Sequence, residues 1–244
     1  MNFDPVNAKM EGRQPVGMDT ATADLFPDEF EDSPLGKIPK GWGVGKLDDL
    51  IHILSGGTPK TSVPEYWNGD ILWFSVKDTP SKSDVFVIDT EKRITRLGVE
   101  KSATQILPKG TTIITARGTV GKLALLGVKM AMNQSCFGIR GKNGYSDFFI
   151  YYHLCSVISE LQRQTHGSVF DTINRNTFTT IQAVLPSLEI AQAFDYNLKA
   201  VMDKILVNLF ESRTLATIRD TLLPKLLSGE IRVKEAEKLA ETVT

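Results

Sequence analysis

The sequence predicts an α+β fold: a β-rich domain followed by one long helix of coiled-coil type. Three observations carry this reading. Thr111-Thr112-Ile113-Ile114-Thr115 is β-branched at every position, which suits a buried, pleated strand. Short apolar runs, Ile71–Phe74 and Val85–Ile88 among them, alternate with loops rich in Gly, Ser, Thr and Asn. From Glu189 to Leu223 there is neither Pro nor Gly. Along that run Phe194, Leu198, Val201, Ile205, Leu209, Leu215, Ile218 and Leu222 recur mostly at steps of three and four, with an interruption at Ser212. Such a helix is about 50 Å long at ~1.5 Å per residue and must cover its apolar stripe. Two readings stay open: a core helix of the preceding domain, or a spacer arm paired in a coiled coil.

Taken in order, residues 1–36 form an extended or partly ordered lead, broken at Asp4-Pro5, Gln14-Pro15, Phe26-Pro27 and Ser33-Pro34, with room for one helical turn at Ala21–Leu25. Ile38-Pro39-Lys40-Gly41-Trp42 opens the globular part, and Val44–Leu54 is a short strand or helix. Strands are expected at Ile71–Phe74, Val85–Ile88, Thr111–Thr115, Leu123–Val128 and, as one continuous element, Ala131–Arg140. Asp147–Gln164 reads as a helix capped by Ser146 and ended by His166-Gly167-Ser168. A short element starts near Thr177, and Ala183–Pro186 is the last strand. The domains are therefore set at 1–36 (acidic lead), 37–187 (β-rich domain), 188–233 (long helical region) and 234–244 (charged tail).

The net charge of −1 hides an asymmetry: residues 1–36 carry −6, residues 37–187 carry +6 and residues 188–244 carry −1. A basic middle segment permits a polyanionic partner without proving one. No apolar run is long enough to span a bilayer and no signal-peptide pattern opens the chain, so no membrane association and a cytoplasmic location are expected. Cys136 and Cys155 are then expected as reduced, buried residues.

Enzyme chemistry finds no support. Gly118-Thr119-Val120-Gly121-Lys122 departs from a phosphate loop, because Ala116 stands at the first Gly position and Leu123 follows the Lys. His52, His153 and His166 are scattered, without metal-ligand spacing. No catalytic set, metal site or cofactor is expected. The polar loops suit recognition instead. Lys60 beside Gly56 and Gly57, and Arg117 beside Gly118, set cations where a backbone can approach closely. Asn133, Gln134 and Ser135 group amide and hydroxyl functions able to read base edges. The plainer alternative is that the glycines serve turns and the amides satisfy backbone groups.

Several stretches, in order, resemble one known family. Ser55-Gly56-Gly57-Thr58-Pro59-Lys60-Thr61 with Glu65-Tyr66-Trp67, then Thr115–Gly121, Met132-Asn133-Gln134-Ser135-Cys136, Gly167-Ser168-Val169-Phe170-Asp171-Thr172-Ile173 and Val184-Leu185-Pro186 resemble a target recognition domain. Leu215–Val233, with Leu222-Leu223-Pro224-Lys225-Leu226-Leu227-Ser228-Gly229-Glu230, resembles the family's C-terminal helical region. The chain as a whole is similar to the specificity (S) subunit of type I restriction-modification systems, in a half-length form with one target recognition domain.

The resemblance implies a non-catalytic, sequence-specific reader of double-stranded DNA. It also implies docking to a methyltransferase (M) subunit and a restriction (R) subunit. Lys60, Arg117, Asn133 and Gln134 are then expected on the DNA-facing side, with Thr58 and Ser168 from the same stretches. Lys60 suits a phosphate, and Arg117 either a phosphate or a base. Most members carry two recognition domains and two long antiparallel helices, whereas this chain has one of each. A homodimer through Phe194, Leu198, Val201, Ile205, Leu209, Leu215, Ile218 and Leu222, reading a bipartite target, is therefore expected. The alternative is a helical assembly or regulatory module that binds the methyltransferase without reading DNA.

Overall fold

The computed structural model describes residues 4–81, 84–164 and 172–234, with the backbone alone for 159–164. The chain begins with α1 (Asp4–Met10), α2 (Thr20–Asp24) and a hairpin of β1 (Phe30–Ser33) and β2 (Gly36–Pro39). Next come β3 (Gly43–Lys46), a 3-10 turn, β4 (Ile51–Ser55), β5 (Trp67–Phe74), β6 (Phe86–Val87), β7 (Lys92–Ile94) and α3 (Arg96–Glu100). Then follow β8 (Thr112–Thr115), β9 (Leu123–Leu126), β10 (Ala131–Met132), β11 (Cys136–Gly141), α4 (Asp147–Gln164), α5 (Arg175–Thr180), β12 (Gln182–Leu185) and α6 (Leu188–Leu227). The architecture is mixed α+β, as the sequence predicts.

The β-branched run occupies the middle of the largest sheet, ordered β4-β11-β8-β9-β6, and β8 is buried at all four positions. Successive side chains point to opposite faces of a strand, so Ile113 and Ile114 enter two different cores. Ile114 packs with Ile51 and Ile139 against Ile150 and Leu154 of α4 and Phe178 of α5. Ile113 packs with Ala124, Leu126 and Cys136 against Phe74, Met130 and Met132. The second core joins the large sheet to the three-stranded sheet β10-β5-β7. Each such large apolar side chain contributes about 1.5–3 kcal/mol by leaving water. α4 starts where expected: the Ser146 hydroxyl accepts the Phe149 N–H at 3.1 Å. Asp147 in its first turn accepts from Arg140 at 2.6 Å and from the Gly141 N–H at 2.9 Å.

Four expectations need correction. Ala131–Arg140 is two strands, β10 and β11, lying in different sheets. The break is local chemistry, because Asn133 Oδ1 accepts the Ser135 N–H at 3.0 Å and turns the chain. Val44–Leu54 resolves into β3, a turn and β4. The lead is more ordered than its prolines suggest: Pro5 opens α1, where a missing N–H costs nothing, and Pro34 sits in the β1–β2 turn. Finally, the long helix continues through Pro224 to Leu227, 40 residues or about 60 Å. The expected helix end at His166-Gly167-Ser168 lies outside the described residues.

The chain divides into two compact units, Met1–Leu198 and Lys199–Thr244, and α6 contributes to each. In the first, Ile190 and Ala191 are buried; in the second, Met202 and Leu206 are. None of these four belongs to the stripe expected from sequence. Of that stripe, Phe194, Val201, Ile205 and Leu215 are exposed, while Leu198, Leu209, Ile218 and Leu222 are half-buried. Among the described residues no helix is long and apolar enough to cross a membrane. Cys136 and Cys155 are free thiols, and burial pushes Cys136 up to about 12.

Candidate nucleic-acid interface

Strand register gathers the polar loops. Ser55 lies opposite Phe137, Cys136 opposite Thr115 and Ile114 opposite Leu123. The C-terminal ends of β4 and β8 and the starts of β9 and β11 therefore meet at one end of the large sheet. From that end emerge the loops carrying Thr58 and Lys60, Arg117, and Asn133 and Gln134. Five of the six expected DNA-facing residues thus share one edge of the domain; the sixth, Ser168, lies outside the described residues.

Glycines make this convergence possible. A Cβ on Gly56 would stand 2.0 Å from the Asn133 carbonyl oxygen, and one on Gly57 would stand 2.4 Å from the Thr104 nitrogen. With no side chain there, backbones meet directly. The Gly57 N–H donates to the Met132 carbonyl at 3.0 Å, and the Trp73 indole N–H donates to the Gly57 carbonyl at 3.0 Å. The Thr104 hydroxyl donates to the Met132 carbonyl at 2.9 Å from a buried position. At the surface the Thr58 hydroxyl donates to Gln134 Oε1. The Trp67 indole N–H donates to the Lys60 carbonyl at 3.2 Å, holding the loop while the Lys60 side chain stays exposed.

The Arg117 loop is a separate tight turn. Its root is Thr115, whose hydroxyl donates to the Thr119 carbonyl and accepts the Lys122 N–H at 3.0 Å. Gly118 and Gly121 take φ values of 76° and 80°, the left-handed region that favours glycine. The glycines do serve a turn, and the turn holds Arg117, Gly118 and Thr119 out in solvent. The Ala116 N–H donates to the Ser135 carbonyl at 2.8 Å, which fixes this turn beside the Asn133–Ser135 turn.

Two further side chains at this end escape a reading by motif. Arg175, at the first turn of α5, donates to the Ile53 carbonyl at 3.2 Å and the Ser55 hydroxyl at 3.1 Å. Gln105 donates to the Ser55 carbonyl at 3.3 Å. The only sequence signal for either is its place in a polar run between apolar segments. Across residues 55–62, 102–106, 116–122, 133–135 and 172–176 there are four cations, Lys60, Arg117, Lys122 and Arg175, and no Asp or Glu. None of the four pairs with a carboxylate among the described residues. This edge combines cations that pair with no carboxylate among the described residues with amide and hydroxyl groups, which is the chemistry of phosphate contact and base reading. Among the described residues no group of three or more His, Cys, Asp or Glu side chains could hold a metal ion.

Comparison with known proteins shows the family. Residues 39–212 match the family described as type I restriction modification DNA specificity domain. The MjaIX specificity subunit of Methanocaldococcus jannaschii is 33% identical over 166 residues, covering 67% of this chain and 38% of that protein. The HindI specificity subunit of Haemophilus influenzae is 29% identical over 218 residues, covering 86% and 47%. Among solved structures, the HsdS subunit from Thermoanaerobacter tengcongensis covers 98% of this chain and 49% of its own, with a TM-score of 0.51 at 18% identity. The type I S subunit from M. genitalium gives a TM-score of 0.55 over 77% of this chain and 46% of its own, at 16% identity. At such identities the structural likeness bears on fold alone. The chain spans about half the length, or less, of the curated relatives it matches.

Proposed function

The chain belongs to the type I restriction-modification DNA specificity family, and from that premise we propose that it is a sequence-specific DNA-recognition subunit. It directs a methyltransferase subunit, and with it a restriction subunit, to a bipartite target in the cytoplasm. The recognition domain is 37–187. Two copies pair through the helical region 188–233. The observation that carries this reading is the edge where three loops, whose segments contain no Asp or Glu, bring Lys60, Arg117 and Gln134 together.

The chemistry divides by residue type. Lys60 and Lys122, exposed on their loops, suit phosphates and set register on the duplex. Arg117 projects from a tight turn and presents the planar fork that matches guanine O6 and N7 or a phosphate. Asn133 has its side-chain Oδ1 engaged by the Ser135 N–H, so it shapes the turn that presents Gln134. Arg175 is a positioning residue: it ties the start of α5 to the root of the Thr58 loop.

The deciding experiment coexpresses the chain with its methyltransferase and maps every methylated base. A single recurring motif is expected. Methylation without a motif, in a complex that still assembles, would instead establish the assembly-module reading.

A further inference from the structure

We propose that Gln134 specifies an adenine through its major-groove edge and that Thr58 holds Gln134 in the reading pose. This rests on the DNA-recognition reading above and adds which side chain reads which base. Thr58 and Gln134 lie 76 positions apart in sequence, and the Thr58 hydroxyl donates to Gln134 Oε1 between two different loops. Beneath them the backbone is locked independently: Gly57 bonds to Met132, Trp73 bonds to Gly57, and Gly56 has no room for a side chain beside Asn133. The bridge sits on the outer side of that lock, with Thr58 half-exposed and Gln134 exposed.

An unheld glutamine samples many rotamers and would present either end of its amide. The Thr58 bond restrains Oε1, which keeps a second lone pair. Gln134 Nε2 has no partner among the described residues. The side chain therefore offers one acceptor and one donor together, the pair that matches adenine N6–H and N7. Guanine presents two acceptors, O6 and N7, and would set one of them against Oε1. Preorganisation by a neighbour is what such a contact needs in order to discriminate. Asn133 is a poorer reader, since its side-chain Oδ1 holds the turn.

The test uses the full chain coexpressed with its methyltransferase, with methylated motifs mapped by sequencing. Thr58→Val removes the hydroxyl at nearly constant shape; Thr58→Ser keeps it. Wild type and Thr58→Ser are expected to give one motif with adenine at a given position. Thr58→Val and Gln134→Ala are both expected to relax that position by about tenfold. The other positions and the salt dependence of binding should not change, because no phosphate contact is lost. An unchanged Thr58→Val motif, or relaxation at a position that is not adenine, overturns the proposal and leaves DNA recognition standing. Should Thr58→Val fail to fold, an unchanged Gln134→Ala motif overturns it, and an adenine-specific relaxation supports it. A wild-type complex that methylates without a motif overturns the recognition reading itself.

Discussion

At the scale of single residues, the structure separates groups that project into solvent from groups consumed by the fold. Arg117 projects, and its contribution should be readable from binding. Arg117→Ala is expected to cost about 1–3 kcal/mol of DNA affinity and relax one motif position if the guanidinium reads a base. A uniform loss with a shallower salt dependence would place it on a phosphate. Titrations of cognate and single-mismatch duplexes at several salt concentrations distinguish the two. His153 is consumed: its ring stacks on Phe149 at 5.7 Å, and its Nε2 is enclosed without a partner among the described residues. Although part of the side chain reaches solvent, this enclosure is what matters for the proton, and burial holds the pKa down to about 4 from 6.5. The folded state thus refuses a proton that the unfolded chain accepts. Stability is complete above about pH 6.5 and falls as pH drops toward 4. Between pH 7 and 5 the loss from this group is about 2 kcal/mol. Chemical denaturation at both pH values should show a smaller drop for His153→Phe than for wild type; equal drops would exclude His153 as the cause.

At the scale of elements, the helices and strands with local signatures were legible and those decided by distant contacts were not. α4 could be bounded because Ser146 is a good cap, and β8 because five β-branched residues admit little else. The division between β10 and β11 was hidden, since an apolar–polar run reads as continuous until an Asx-type turn at Asn133 breaks it. Arg175 was missed for a different reason: its role lies in a bond to Ser55, 120 positions away. α6 was found as an element, but its apolar face was not resolved. Apolar residues occur on more than one side of that helix, so spacing alone admitted Val201 and Ile205 and passed over Met202 and Leu206. The structure buries the latter pair and leaves the former exposed. Exposure is what a pairing surface needs before its partner arrives. Val201→Asp with Ile205→Asp should therefore abolish self-association while leaving the circular dichroism spectrum and melting temperature near wild type. Light scattering over a dilution series would check it; a wild-type chain that is monomeric throughout would remove the pairing proposal.

At the scale of the whole molecule, the proposed pairing has a thermodynamic consequence. Under that proposal, residues 37–187, with a net charge of +6, would reach only modest affinity and a short motif if they read DNA alone. Two domains joined by pairing arms bind the second half-site at high effective concentration, which raises affinity without any new contact. If the two copies are identical and related by a two-fold axis, the two halves of the target must be inverted repeats of one another. The methylated motif should therefore be a gapped palindrome. The Val201→Asp, Ile205→Asp variant should lose affinity for the gapped site by far more than for an isolated half-site. Two unlike half-sites in the methylation map would mean that the second domain comes from a different chain. In that case the exposed face of α6 would be completed by that chain, and a second copy of this one would not suffice to restore binding.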